Sequence, residues 1–224
     1  MINNEKLTAL EINPTQPAQK CVIWLHGLGA DGNDFAPIVP ELNLPPSMNI
    51  RFILPHAPIM PVTINNGHEM RAWFDIKASD LTSRADVDGM QRSVQQINAL
   101  IQHEIARGIT PANIMLVGFS QGAVIALMTG LLSSERLAGI IALSGLFPHA
   151  ESVIQQAPAA NHGLPIFIAH GTEDSVLPLS LGRHAYDALA KASYPTDWHS
   201  YAMGHSVCLE EINDISDWIQ KIWN

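Results

Sequence analysis

Cysteine is scarce in this chain: two residues in 224, Cys21 and Cys208, far apart in sequence. That separation makes neither a disulfide framework nor a metal-ligand or redox spacing, so two reduced thiols and no metal site are expected. Positive charge is also scarce. Lys and Arg number 12 against 21 Asp and Glu, a formal net charge of −9 with His neutral. This balance argues against nucleic acid or an anionic membrane surface as a partner, since both reward Lys and Arg. No run approaches the ~20 apolar residues of a membrane span, so no stable membrane anchor is expected. The opening MINNEKLTALEINPTQP lacks a basic region followed by an apolar run, which predicts no secretory leader. Ile2 excludes N-myristoylation. Together these absences predict a cytoplasmic protein. Repeats, linkers and low-complexity segments are missing too, so one domain over residues 1–224 is expected.

The chain does have enough apolar residues for one sizeable core: 47% hydrophobic against 15% charged, the balance of a compact globular protein. Short β-rich runs alternate with helical segments, which predicts an α/β fold with a mostly parallel central sheet flanked by helices. Strands are expected over residues 21–26, 50–54, 114–117, 139–143, 165–169 and 198–201. Residues 33–42 suggest a short helix made irregular by Pro37 and Pro40. Residues 56–80 show no period and are expected to form an ordered loop. Helices are predicted over residues 86–107, 121–132, 181–192 and 209–223. In the first of these Met90, Val94, Ile97, Ile101 and Ile105 recur at three- and four-residue steps before Gly108.

The strand at 114–117 runs into Gly118-Phe119-Ser120-Gln121-Gly122, and a helix follows. This is G-x-S-x-G in strand–turn–helix context, the setting in which a serine is held on a strained turn with its hydroxyl exposed. Larger side chains at 118 and 122 would collide. The N-terminus of the following helix favours negative charge at the serine.

A serine hydroxyl needs an adjacent base. Where G-x-S-x-G sits on an α/β sheet, the chain order is Ser, then Asp or Glu, then His. Beyond the serine stand His170, His184, His199 and His205. His170 precedes the acid candidates, His184 falls in a helix and His199 in a strand. His205 lies in a glycine-containing loop, from which a histidine can reach back over the sheet edge. Active sites of open α/β sheets form beyond the carboxyl ends of strands, and only Glu173 and Asp174 stand just past a buried strand. Spacing does not choose between them. The short side chain of Asp, which takes backbone hydrogen bonds in loops, favours Asp174.

Trp24 to Gly32 reads WLHGLGADG. A His-Gly turn after an early strand is where such a fold supplies one oxyanion donor, the other being the amide after the nucleophile. The amides of Leu28 and Gln121 are the expected pair. Gly27, Gly29 and Gly32 also satisfy G-x-G-x-x-G, the fingerprint of dinucleotide binding. That alternative fails in context: no helix opens cleanly at the third glycine, and residues 51–57 offer no acid for a ribose. A non-catalytic binding module would require a broken triad, and here every member is present.

The chain resembles the bacterial carboxylesterase and acyl-protein thioesterase family of small α/β-hydrolases. The likeness rests on Leu25-His26-Gly27-Leu28-Gly29, Leu54-Pro55-His56-Ala57-Pro58, Met70-Arg71-Ala72-Trp73-Phe74-Asp75, Gly118 to Ala123, Leu143-Ser144-Gly145, His170-Gly171-x-x-Asp174 and Gly204-His205. It implies an α/β-hydrolase with little or no lid, Asp174 rather than Glu173 as the acid, no cofactor, and small-molecule or lipid-like esters as substrates. Related esterases often pair, so the resemblance also admits a homodimer. Pro61-Val62-Thr63-Ile64-Asn65 and Met70-Arg71-Ala72-Trp73 resemble the bacterial carboxylesterases more than the eukaryotic thioesterases, which commonly carry a lipidated N-terminal cysteine. Carboxylic esters of short to medium chain are thus expected ahead of acyl-protein or lysophospholipid substrates. Met60, Val62, Leu146 and Leu177, with Trp73, Phe74, Phe147 and Val176 as the principal contacts, are candidates for an apolar acyl groove.

Overall fold

The computed structural model describes residues 7–77 and 86–224. Its centre is a seven-stranded sheet. In chain order the strands are β1 (Ala9–Ile12), β2 (Lys20–Leu25), β3 (Ile50–Pro55), β6 (Ile114–Phe119), β7 (Gly139–Leu143), β8 (Ile166–Gly171) and β9 (Thr196–Tyr201). Between β3 and β6 the chain forms a separate antiparallel hairpin, β4 (Ile59–Val62) with β5 (His68–Arg71). The order across the large sheet is β1-β3-β2-β6-β7-β8-β9. All its pairings are parallel except β1 with β3.

The six α-helices among the described residues are α1 (Ile38–Glu41), α2 (Val87–Ala106), α3 (Gln121–Leu132), α4 (Ala150–Gln156), α5 (Leu179–Lys191) and α6 (Leu209–Trp223). They cover both faces of the sheet, and the strand sequences show how. Side chains alternate across a strand, so a strand buried on both faces must be apolar at every position. In β6, Ile114 and Leu116 enter the core beneath α2 and α3, whereas Met115 and Val117 enter the core beneath α6. The same alternation divides Ile140 and Ala142 from Ile141 and Leu143 in β7, and Ile166 and Ile168 from Phe167 and Ala169 in β8. Helix α3 is buried at every residue from Gln121 to Leu131, which is why it carries no polar face. Helix α6 is amphipathic and buries Ile212, Ile215, Trp218 and Ile219.

Several elements differ from the sequence expectation. The helix expected over 33–42 shrinks to the four residues of α1, with Pro37 at its N-cap and Pro40 within it, where no N–H is left to extend a longer helix. The stretch expected to be loop holds the β4–β5 hairpin, whose strands bury only Val62 and so show no core-strand alternation. Its last residues, 78–80, lie outside the described residues, as do residues 1–6 with Ile2. Strand β1 was not expected: it is four residues long, and its extended form comes from pairing Leu10 with Leu54. Helix α4, seven residues after a left-handed His149, is likewise too short to show a period.

After β2 the chain goes to β3 on one side, and β6 then adds on the other side of β2. The crevice between β2 and β6 is thus the point where strand order reverses, the place where open α/β sheets bind ligands. Both glycine-rich turns, after β2 and after β6, open there. Among the described residues, no helix is long and apolar enough to cross a membrane.

One buried group makes stability depend on pH. Glu211 in the first turn of α6 is fully buried. Burial, partly offset by the Cys208 backbone N–H and reinforced by the nearby Asp214 carboxylate, pushes its carboxyl up from 4.5 to about 8. Below the unfolded value both states hold the proton and nothing is lost. As pH rises towards 8, the unfolded chain ionises while the folded chain does not, so stability falls across that window. Glu211→Gln is expected to remove this slope and to stabilise the fold at pH 8 by roughly 2–4 kcal/mol relative to wild type. Urea unfolding of both proteins at pH 5 and pH 8 measures it; equal slopes would discard the assignment.

Candidate active site

The turn after β6 holds Ser120 at φ 55° and ψ −116°. A non-glycine residue there stores roughly 1–3 kcal/mol of strain and persists only where its surroundings impose it. The imposition is visible at the two flanking glycines. A Cβ on Gly118 would run into the Gly122 carbonyl, and one on Gly122 into the carbonyls of Leu25 and His26. The turn is therefore packed against the end of β2 with no room for a side chain. The Ser120 amide is tied down by the Leu143 carbonyl at 2.8 Å.

His205 reaches the serine from the loop between β9 and α6. Its Nε2 lies 2.9 Å from Ser120 Oγ, and its Nδ1 lies 2.6 Å from Asp174 Oδ2. With the Nδ1 proton donated to the carboxylate, Nε2 is left to accept the serine hydroxyl proton. Asp174 sits in the turn after β8. Its other oxygen accepts from the amides of Val176 and Leu177, each at 2.8 Å. Burial alone would raise the Asp174 carboxyl. The bonds from His205, Leu177 and Val176 outweigh it and hold the group below the usual carboxylate range. Glu173, the neighbouring candidate, is exposed. The Phe119 ring lies 4.8 Å from that of His205.

The other histidines fall elsewhere. His184 is exposed, and His199 pairs with Asp214 at 3.3 Å. His170 is fully buried behind Asp174, its Nε2 2.8 Å from the Leu177 carbonyl and 3.5 Å from Asp174 Oδ2.

The turn after β2 brings the Leu28 amide to the same cavity as Ser120, Gln121 and His205. Among the described residues, neither the Leu28 nor the Gln121 backbone N–H donates to another protein group. The groups around them do. Gly29 N–H donates to the Arg71 carbonyl at 2.9 Å, and the Trp73 indole N–H donates to the His26 carbonyl at 2.8 Å. The His26 ring spans the turn, with Nδ1 2.6 Å from the Gly27 carbonyl and Nε2 accepting from the Ala57 amide at 3.0 Å. That pattern requires the neutral ring, and burial, opposed by the bond to Gly27, lowers the His26 pKa accordingly. The Gln121 side chain accepts from Trp73 N–H at 2.8 Å and donates to the Phe74 carbonyl at 2.6 Å. Among the described residues, these two amides thus stay unpaired beside bonded groups, the Gly29 amide, the Trp73 indole and the Gln121 side chain.

The cavity at Ser120 measures about 530 Å³. Phe74 and Val176 line it, as do Leu146 and Leu177. Trp73 and Phe147 do not: both are buried in the core. Trp73 braces the turn after β2 and, with Met60, lines a separate cavity of about 660 Å³. Val62 is fully buried. Ile64, Ile76, Met90 and Asp34 line the Ser120 cavity without having been expected there from the sequence. Met90 belongs to the apolar stripe of α2 and has no local mark that separates it from core. Ile64 lies between β4 and β5, and only the fold of that hairpin brings it over the site. Among the described residues, no group of three His, Cys, Asp or Glu could hold a metal.

Fold and site together define an α/β-hydrolase. Comparison with known proteins gives the family. The phospholipase/carboxylesterase family model matches residues 8–223. Acyl-protein thioesterase 1 of Yarrowia lipolytica is 36% identical over 205 residues, which are 89% of this chain and 90% of that protein. Carboxylesterase SOBER1 of Arabidopsis thaliana is 34% identical over 91% of each chain. The crystal structure of SOBER1 superposes with a TM-score of 0.87 over 92% of this chain and 100% of its own. The chain belongs to the phospholipase/carboxylesterase family and is a hydrolase of the esterase/thioesterase type.

Proposed function

We propose that this chain, as one α/β-hydrolase domain, is a serine carboxylesterase that cleaves esters of short to medium acyl chains through an acyl-enzyme on Ser120. The observation that carries the reading is the hydrogen-bonded line from Ser120 Oγ through His205 to Asp174, with separations of 2.9 and 2.6 Å, at the mouth of an apolar-walled cavity. His205 Nε2 takes the hydroxyl proton as Oγ attacks the ester carbonyl. The developing oxyanion is held by the amides of Leu28 and Gln121, each such donor being worth about 2.7–4 kcal/mol. The proton on Nε2 then passes to the departing alcohol. Water repeats the steps in reverse and frees the acid, so that ester and water become acid and alcohol. Asp174 stays ionised and holds the imidazole tautomer.

The chain-length part rests on the size of the cavity, whose apolar lining includes Leu146, Met90 and Ile76. A second reading, acyl-protein or lysophospholipid (thio)esterase activity, is favoured by relatives named acyl-protein thioesterase 1, and the same machinery cleaves thioesters. Hydrolysis of p-nitrophenyl esters from acetyl to palmitoyl separates the two. Turnover is expected to peak at short to medium chains. A steady rise to the palmitoyl ester would favour the second reading, and no hydrolysis at any length would remove both.

A further inference from the structure

Two side chains that line the Ser120 cavity are titratable, His205 and Asp34. Among the described lining residues there is no Lys or Arg. The Asp34 carboxylate makes no side-chain hydrogen bond or ion pair among the described residues, whereas neighbouring Asp31 is tied to Asn33, by its amide at 2.7 Å and its side chain at 3.0 Å. Asp31 lies outside the cavity and Asp34 lies on its wall. Aromatic contacts locate that wall. The ring of Phe35, next in the chain, lies 5.6 Å from that of Phe119, which lies 4.8 Å from the His205 imidazole. Phe35 and Phe119 thus tie the chain at Asp34 to the part of the cavity wall that carries His205, the base that returns its proton to the leaving alcohol. Ile64, Phe74, Ile76 and Met90 are apolar members of the same lining.

Resting on the esterase reading above, we propose that Asp34 is a specificity-determining residue that favours esters whose alcohol carries a positive charge. A carboxylate with no partner attracts a cation and repels an anion brought alongside it. Exposure to water keeps the effect small and salt-dependent. Asp34 takes no part in bond making: the ester, the water and the proton path through His205 are as described above.

The test uses two butyrate esters of matching shape, butyrylcholine and its uncharged counterpart 3,3-dimethylbutyl butyrate. The ratio of their kcat/KM values is measured for wild type, Asp34→Asn and Asp34→Lys. Comparing the ratio between proteins cancels the intrinsic difference in leaving ability. The ratio is expected to fall roughly 2–5-fold in Asp34→Asn, further in Asp34→Lys, and to converge among the three proteins in ~0.5 M salt. An unchanged ratio across the variants at low salt, with both esters still hydrolysed, overturns the role of Asp34 and leaves the esterase reading intact. Failure of wild type to hydrolyse either ester overturns both.

Discussion

Ser120→Ala is expected to lower kcat for ester hydrolysis by up to ~10⁶-fold, the scale on which removal of a triad nucleophile acts. Among the described residues, the only side-chain hydrogen bond of Ser120 runs to His205 Nε2, so the substitution deletes the candidate nucleophile and leaves the rest of the frame bonded as before. The turn is held by backbone contacts, with the Ser120 amide on the Leu143 carbonyl and the Ala123 amide on the Ser120 carbonyl at 3.0 Å. Alanine meets the same positive-φ strain that serine does. The melting temperature is therefore expected to stay close to wild type while turnover vanishes. Side-by-side kinetics with p-nitrophenyl butyrate and a thermal melt check this. A variant within tenfold of wild-type kcat would show that Ser120 is not the nucleophile. Residual activity above the uncatalysed rate is compatible with the assignment, since oxyanion donors and substrate binding persist without the serine.

Asp174→Asn is expected to cost about 10⁴-fold in kcat near neutral pH, the scale set by forcing a triad histidine into the wrong tautomer. The orientation of the new amide is decided by its surroundings. Two backbone donors, Val176 and Leu177 N–H, face Oδ1, so the asparagine oxygen is kept there. Its NH2 group then points at His205 Nδ1, which must accept instead of donate. The imidazole proton moves to Nε2, which can no longer take the proton of Ser120. The loop keeps both backbone bonds, so the loss is catalytic and the melting temperature should move little. Steady-state kinetics across pH and a thermal melt read the two effects separately. A loss of tenfold or less would mean that Asp174 does not set the tautomer.

The sheet was legible because parallel strands buried on both faces are apolar throughout, as in Ile114 to Val117 and Gly139 to Leu143. Helices α2 and α6 were legible because length and periodicity agree in each, and α3 because its largely apolar run of twelve residues is too long for a strand. Elements of four to seven residues, such as β1 and α4, carry too few side chains to show a pattern, and pairing with a neighbour decides them. At the site, Ser120 was marked by glycines whose absent side chains leave room for the turn. His205 and Asp174 were marked by their place after strands.

The pocket was not legible in the same way. Phe74 and Trp73 are adjacent in sequence, yet Phe74 lines the cavity while Trp73 spends its indole N–H on the His26 carbonyl. Leu146 and Phe147 divide likewise. Periodicity and composition report how apolar a position is, and core and pocket are equally apolar. By itself the sequence determined the fold class and offered Ser120, Asp174 and His205 as the candidate nucleophile, acid and base, because each depends on local backbone chemistry and chain order. Only the tertiary structure decided which apolar side chains face the cavity, that Ile64 and Asp34 join its wall, and that His170 sits behind Asp174. Those facts depend on how separate segments of chain, far apart in sequence, are turned toward one another.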